Sequence, residues 1–521
     1  MRSVFRMSMG VIFLLSSLLF SETYLVGPQR AYKTLQSVAN LLFPGDSVLV
    51  DGNATYAGGV SFTRAGLSEQ KIVLKGVSVA GKRPIISGGV NTVAFISPEP
   101  YTHGADHYVF EGFEVTGGSS RGIYHQAHDL TIRDVVVHDC PAQGILGADR
   151  GSGSLLIESC EVYRCGSGDR NHQLYLSTDQ VNRPGSVVRV QYCYIHDANG
   201  GNNIKSRAER NEIYFNWIEG AYYHELELIG PDPDGVDDEW YPRLKREDSD
   251  VVGNVLRKVS TAAGNDRNFS VARIGGDATG ESHGRYRFVN NTIISGTGAV
   301  FRMFDSLESV EMHNNVLYNP TGVVNVMRTV EAQWTQGSIT IAGSCNWVKV
   351  GALNVPQGWT QNGSGTDPRF ADEEGADFRP AEGSPLINAG GSSSTFAEYP
   401  FPDPLTLISG EPSRSAGFVN ERTAQGILDI GAFESLSGTT VVLQSVAPKR
   451  ADACWSVQGR KLKVSGVDQT ASVRVFLLNG KQFRPFSVNR DAGEMLVDFT
   501  GAKVNGLFLV RVGQHTFKII N

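Results

Sequence analysis

One short pattern returns along most of this chain and limits what it can become. It appears in VFEGFEV, TIRDVVVHD, LIESCEVYR, VRVQYCYIHD, IYFNWIEG, VVGNVLRK, RFVNNTIIS and EMHNNVLYN. In all but the first, apolar residues alternate up to one position, small and polar or sulfur-bearing after the first filling, occupied in turn by Val135, Cys160, Cys193, Asn216, Asn254, Asn291 and Asn315. Nearest copies are about 23 to 25 residues apart, the length of one solenoid turn, and insertions lengthen the others. Stacked inward asparagines can hydrogen-bond along such a ladder and satisfy the turning backbone beside them. Cys160 and Cys193 then read as buried ladder members, since free cysteine packs as a small hydrophobe and neither lies in a CxxC-like pair.

Each turn carries a second strand: RGIYHQA, QGILGAD, HQLYLST, NNIKSRA, HELELIG, FSVARIG and AVFRMFD. Parallel strands joined by turns, with one face inward, predict an all-β right-handed parallel β-helix. The segment AYKTLQSVANLL has apolar Tyr32, Leu35, Val38, Ala39 and Leu42 at helical spacing and stops at Pro44-Gly45-Asp46. It predicts a cap helix over the open first coil, whose strand edges would otherwise invite aggregation. Here the chain resembles secreted right-handed β-helix proteins of the pectate-lyase-like superfamily, whose cap helix runs into a similar PGD turn. The resemblance continues through DPRFADEEGADFRPAEGSPLINAG and closes at DIGAFE, Asp429 to Glu434. It implies a β-helix domain over residues 22–435 and bears on fold more than on activity.

The remaining residues, 436–521, change character. SVRVFLLNGKQF, MLVDFTG and GLFLVRVGQHTFKII alternate well and are separated by Asn479-Gly480 and Asn505-Gly506 turn signals, which predicts a small β-sandwich. This part resembles the C-terminal sorting domains that bacteria of the Bacteroidetes and Fibrobacter type append to exported proteins. The resemblance implies secretion or surface display through a secretion machinery. At the other end, Arg2 and Arg6 precede an apolar run from Val11 to Phe20, with Ser16, Ser17 and Ser21 as a cleavage zone. Residues 1–21 are therefore read as a signal peptide, and the mature chain as a secreted or surface-attached monomer. The formal net charge of −7 speaks against nucleic-acid binding. Six cysteines at these spacings form no tight disulfide framework.

The stretch GGNNIKSRAERN, Gly200 to Asn211, places cations where a structural strand would prefer Val, Ile or Thr. With Ile204 inward, like Leu174 and Leu226, alternation turns Asn203, Lys205 and Arg207 outward. The same register turns out Gln173, Tyr175 and Ser177 on the preceding coil and Glu225 and Glu227 on the following one. His172 and His224 lie at the edge. Coils stack about 4.8 Å apart, so these side chains should share one patch. Long insertions follow the neighbouring coils, at Gly230 to Asp248 and around Gly264 to Phe269, and loops of that length more often shape clefts than not.

Such a patch suits a uronate polymer. Removing the C5 proton of a uronate requires the neighbouring carboxylate to be neutralised and a base to be aimed at C5. Arginine beside lysine supplies both. Glu225 and Glu227 oppose this unless they hold a divalent cation, and with Asn203 they could ligate calcium. The layout looks like the chondroitinase B and alginate lyase family of β-helix lyases, with KS followed by Asn211 and a strand ending Asn216-Trp217-Ile218. The resemblance implies Lys205 as base, with Arg207 beside it and Arg273 as a candidate for the family's second arginine. That family's acidic calcium ligands precede its lysine, whereas Glu225 and Glu227 follow it. His172, Gln173, Tyr175 and Arg273 are then substrate-binding candidates.

Two other readings compete with elimination. Glu225 and Glu227, two apart on a strand, could serve an inverting glycoside hydrolase. A non-catalytic glycan-binding or adhesive solenoid needs no bond cleavage. The Asp-rich PDPDGVDDE lacks the spacing of an EF-hand and reads as a solvated loop. His138-Asp139 and His196-Asp197 recur at equivalent turns, which argues for a structural role.

Overall fold

The protein is described from a computed structural model covering residues 21–101, 103–232, 247–259, 270–276, 282, 284–304, 307–328, 340–391, 409–415, 420–423 and 426–435, together with strands between 454 and 520. Most of the expected signal peptide, the bulk of both long insertions and the two Asn-Gly turns lie outside the described residues. No helix among the described residues is long and apolar enough to cross a membrane.

Three parallel sheets, of 13, 12 and 10 strands among the described residues, run the length of the first part of the chain. Each turn of chain contributes one strand to each sheet, so the fold is the right-handed parallel β-helix expected from the repeat. The first strand, Thr23–Val26, pairs in parallel with Ser47–Asp51. Between them the expected cap helix is a single turn, Gln36–Ala39, although Leu35, Val38, Ala39 and Leu42 are buried as its spacing requires. It is shorter than the apolar periodicity suggests because Tyr32 is held outside it: Tyr32 bridges Val26, and its carbonyl accepts the Gly27 N–H at 3.0 Å. The PGD turn follows, with Gly45 at φ 89° and the Asp46 carboxylate accepting the Glu22 and Phe43 N–H groups at 2.7 and 2.8 Å.

The asparagine ladder is present at the corner between the first and second sheets. The Asn216 N–H and Nδ2 both donate to Asn254 Oδ1, at 2.8 and 3.0 Å, and the scheme repeats from Asn254 to Asn291 and from Asn291 to Asn315. It runs on to Asn346, whose N–H donates to Asn362, two members that the sequence pattern missed. Each Nδ2 also reaches a carbonyl of the preceding coil, as Asn254 does to Ile213 at 2.8 Å. The residue before each ladder member turns through the left-handed region, including Phe215 at φ 56° and Asn290 at 52°. Cys193 and Cys160 occupy the same column, the Cys160 N–H pointing at Cys193 Sγ (3.4 Å), and both are free thiols buried in the core. Asp139 and Asp197 are also left-handed turn residues, each holding its neighbouring histidine Nδ1, at 2.6 and 2.9 Å, which gives the recurring His-Asp pair its structural role.

The chain divides into two compact units. The first comprises Met1–Pro368, Asn388–Arg422 and Asp429–Phe433; the second comprises Arg369–Ile387, Thr423–Leu428 and Glu434–Asn521. In the second unit the strands between Cys454 and Ile520 form two four-stranded antiparallel sheets.

Candidate functional site on the third sheet

The strands Leu174–Ser177, Ile204–Arg207, Leu226–Leu228 and Ala272–Ile274 are neighbours in the third sheet. Leu174, Ile204, Leu226 and Ala272 are paired in register and point into the core. Alternation within the strands therefore turns Tyr175, Lys205, Glu227 and Arg273 to the outer face, one above another, with Ser177 and Arg207 two residues farther along. The same register extends in both directions: Tyr124 and Leu146 precede Tyr175, and Arg302 and Arg328 follow Arg273.

Glu227 is the electrostatic centre of this column. Its Oε1 meets the Arg273 guanidinium and lies 3.4 Å from Lys205 Nζ, while its Oε2 accepts from Asn202 Nδ2. Burial alone would push this carboxyl up, but Lys205 and Arg273 outweigh it and hold the pKa at about 2. The Lys205 and Arg273 side chains keep 10% and 11% of their surface exposed, whereas Glu227 keeps 1%. Among the described residues the Arg273 Nε–H has no acceptor. Beside them, Arg207 donates from Nε to the Tyr175 hydroxyl at 3.0 Å and from Nη1 to the Gly230 carbonyl at 2.8 Å, with Asp232 3.6 Å from Nη2. Burial raises the Tyr175 pKa to about 12, so its phenol is protonated at neutral pH. Lys205 Nζ stands 5.3 Å from the centre of the Tyr175 ring.

His172 and His224 border the column on alternate coils, linked through Asn202. The Asn202 N–H donates to His172 Nδ1 and the His224 N–H to Asn202 Oδ1, each at 2.9 Å. His224 Nδ1 lies 2.6 Å from the Ser270 carbonyl, so Nδ1 carries the proton there, whereas His172 must carry its proton on Nε2. Burial lowers both imidazoles to about 3, which leaves them neutral.

Three residues expected on the outer face are elsewhere. Gln173, Asn203 and Glu225 immediately precede the strands, at the bend from the second sheet to the third, and stack in register with the core residues Val271, Val300 and Val326. Strand alternation does not extend through a bend, so these side chains turn inward. There they form a second polar ladder: Gln173 Nε2 donates to Asn203 Oδ1 at 2.8 Å, and Asn203 Nδ2 to Glu225 Oε2 at 2.5 Å and to the Glu219 carbonyl at 2.9 Å. Glu225 also accepts the Ala221 N–H at 3.2 Å and lies 3.9 Å from Lys258 Nζ. Burial, opposed chiefly by Lys258, raises Glu225 to about 7.

This placement corrects two expectations. Glu225 and Glu227 face different environments and cannot act as the acid and base of a hydrolase across one glycosidic bond. Nor do Asn203, Glu225 and Glu227 converge on a calcium site. Asn203 turns its amide nitrogen, a donor, toward Glu225, and the Glu227 charge is already met by Arg273 and Lys205. No group of three or more His, Cys, Asp or Glu side chains among the described residues could hold a metal ion. Asn202, Lys258, Arg302 and Arg328 were missed in the sequence. The two arginines were recoverable, since they hold the Lys205 position in later copies of the strand; Asn202 and Lys258 carry no periodic signal.

No family model matches the sequence, and no curated protein matches it. Among solved structures it is similar to an alginate lyase from Paenibacillus sp. str. FPU-7, with 15% identity over 66% of this chain and 99% of the other at a TM-score of 0.38. It is similar to the pectate lyase Pel9A at 12% identity, 80% and 96% coverage and a TM-score of 0.40. A family PL6 alginate lyase, AlyGC, aligns at 12% identity over 66% of this chain and 53% of its own, with a TM-score of 0.36. At these values no residue role and no argument about fold is transferred from those structures.

Proposed function

We propose that this chain is an exported polysaccharide lyase that cleaves a uronate-containing polymer by β-elimination on the outer face of the third sheet. The observation that carries the reading is the column of cations, Lys205, Arg273, Arg302 and Arg328, in which Glu227 is the carboxylate. The Arg273 Nε–H adds a buried donor still in need of an acceptor, which a sugar carboxylate supplies. In this reading Arg273 binds the uronate carboxylate and makes the adjacent C5–H more acidic.

Lys205, once its amine is neutral, takes the C5 proton. The electron pair left on C5 forms the C4–C5 double bond and the C4–O bond breaks. The departing oxygen takes a proton from the Tyr175 hydroxyl, which Arg207 orients by donating to its oxygen and whose negative form Arg207 then stabilises. The proton gained by Lys205 balances the proton lost by Tyr175, and exchange with solvent resets both. His172 and Asn202 hold the rim in place, and Gln173, together with Asn203 and Glu225, fixes the bend that aims Lys205. The secreted or surface location, the action of residues 436–521 on a secretion machinery and the monomeric state belong to the same reading. They rest on the basic and apolar N-terminus and on the alternating C-terminal strands.

The test is ultraviolet absorbance over time with pectate, alginate and glycosaminoglycans. A rise from the conjugated double bond is expected for the native protein, and Lys205→Ala should lower the rate by at least about 100-fold with the fold intact. Binding without depolymerisation would instead favour the adhesive solenoid, and undiminished turnover by Lys205→Ala would remove this lysine from the mechanism.

A further inference from the structure

The outer column of the third sheet is not uniform. In one unbroken register it reads Tyr124, Leu146, Tyr175, Lys205, Glu227, Arg273, Arg302, Arg328. At about 4.8 Å per coil, the aromatic and aliphatic arm from Tyr124 to Tyr175 spans about 10 Å, and the cationic arm from Lys205 to Arg328 about 19 Å. The charges beside the two arms differ as well. Asp149 follows the strand that carries Leu146 and acts on both Tyr124 and Tyr175, opposed by Arg121 at the first and by Arg207 at the second. Arg121 lies 5.6 Å from the Tyr124 ring centre, but its guanidinium is held at the bend by Gln143 and Asn91, at 3.2 and 3.4 Å. A sugar carboxylate on the aromatic side would face Asp149, and the arginine nearest to it there, Arg207, is already committed to the Tyr175 hydroxyl and the Gly230 carbonyl. On the other side it would meet an arginine on every coil after Glu227.

We propose that this outer face binds its glycan with one polarity, uronates along Lys205 to Arg328 and an uncharged sugar against Tyr124, Leu146 and Tyr175. The preferred substrate is then a mixed glycan, cut where a uronate run meets a neutral or carboxyl-masked residue, rather than a uniform polyuronate. The physical basis is that pyranose C–H faces pack on the electron-rich face of a tyrosine without needing charge, whereas carboxylates gain from cations and lose next to Asp149. The proposal rests on the lyase reading for its ligand class but concerns binding on either side of the catalytic lysine.

Equilibrium binding separates the two. The probes are alginate and the same alginate with about half of its carboxyl groups reduced to alcohols, each measured at low and high salt. The native protein should bind the half-reduced polymer at least as tightly as the parent. Replacing both outer arginines, Arg302→Gln with Arg328→Gln, should weaken alginate binding about tenfold at low salt and flatten its salt dependence. Tyr124→Ala should weaken binding of the half-reduced polymer several-fold at either salt concentration. If the native protein binds neither polymer, the uronate reading falls and this inference falls with it. If it binds both but prefers the uniform polyuronate, or if the arginine and tyrosine variants lose the two polymers equally, the polarity is wrong and the lyase reading stands.

Discussion

Glu227 shows how one side chain can serve both the fold and the ligand. Under the proposed function its carboxylate takes the place that a sugar carboxylate would occupy against Arg273, so substrate would share or displace that contact. Glu227→Gln should therefore bind anionic polymer more tightly, read as a lower Kd by calorimetry. The same change should cost stability at neutral pH. A carboxyl held at about 2 contributes stability that is fully present above its unfolded value near 4.5 and is lost as pH falls toward 2. Removing it should cost on the order of 3 kcal/mol at pH 7, and the variant should lack the native protein's loss of stability between pH 4.5 and 2. Because Asn203, Glu225 and Glu227 are committed to protein partners, EGTA should leave polymer binding within about twofold of its value with added calcium. A larger loss would place a calcium ion in the binding site. At this scale the sequence identified Lys205, Arg207, Tyr175 and Glu227 as outward, because inside a strand the alternation of side chains is fixed by backbone geometry. It failed for Gln173, Asn203 and Glu225, one residue outside the strand, where the bend resets that alternation.

The strands of the helix are short, many of three to five residues, and their stacking is kept in register by what happens at the corners. Asn254 illustrates this. Its Oδ1 accepts two bonds from Asn216, and its Nδ2 reaches the Ile213 carbonyl and Asn291. Asn254→Ala would leave buried donors on the coil below without acceptors, an expected loss of about 2 to 5 kcal/mol in urea or thermal unfolding. An unchanged midpoint would mean that water replaces the amide. The ladder was legible in the sequence because a solenoid repeats one backbone environment, and the same environment selects the same side chain each time. The cap was legible in its buried face, Leu35, Val38, Ala39 and Leu42, but not in its length. Apolar spacing reports which side is covered, whereas the pairing of Tyr32 with Val26 keeps the first apolar residue out of the helix.

Across the molecule, buried titratable groups predict a one-sided pH response. Burial holds His125, His172 and His224 at about 4, 3 and 3, below the usual 6.5, so the unfolded chain binds more protons than the native one as pH falls below 6.5. Glu225 acts in the opposite sense: its raised pKa of about 7 means that the native state keeps a proton which the unfolded state releases above 4.5. Burial also lowers His128 and raises Asp149 and Asp250, so between pH 6.5 and 4.5 four imidazoles oppose three carboxyls, and stability should fall on acidification, each proton counting about 1.4 kcal/mol per pH unit. Glu225→Gln should steepen that fall, measured by urea titration at several pH values, and a shallower slope would show that Glu225 is ionised in the native state. The sequence by itself determined the architecture, because the repeating alternation and the ladder position admit little but a parallel coil, and it determined which strand carries the cations. Only the tertiary structure decided which of those polar residues share a face. That depends on where the chain bends between sheets, which is fixed by the packing of neighbouring coils rather than by the local order of residues. The same stacking joins Arg302 and Arg328, distant in sequence from Lys205, to the column that carries Tyr124.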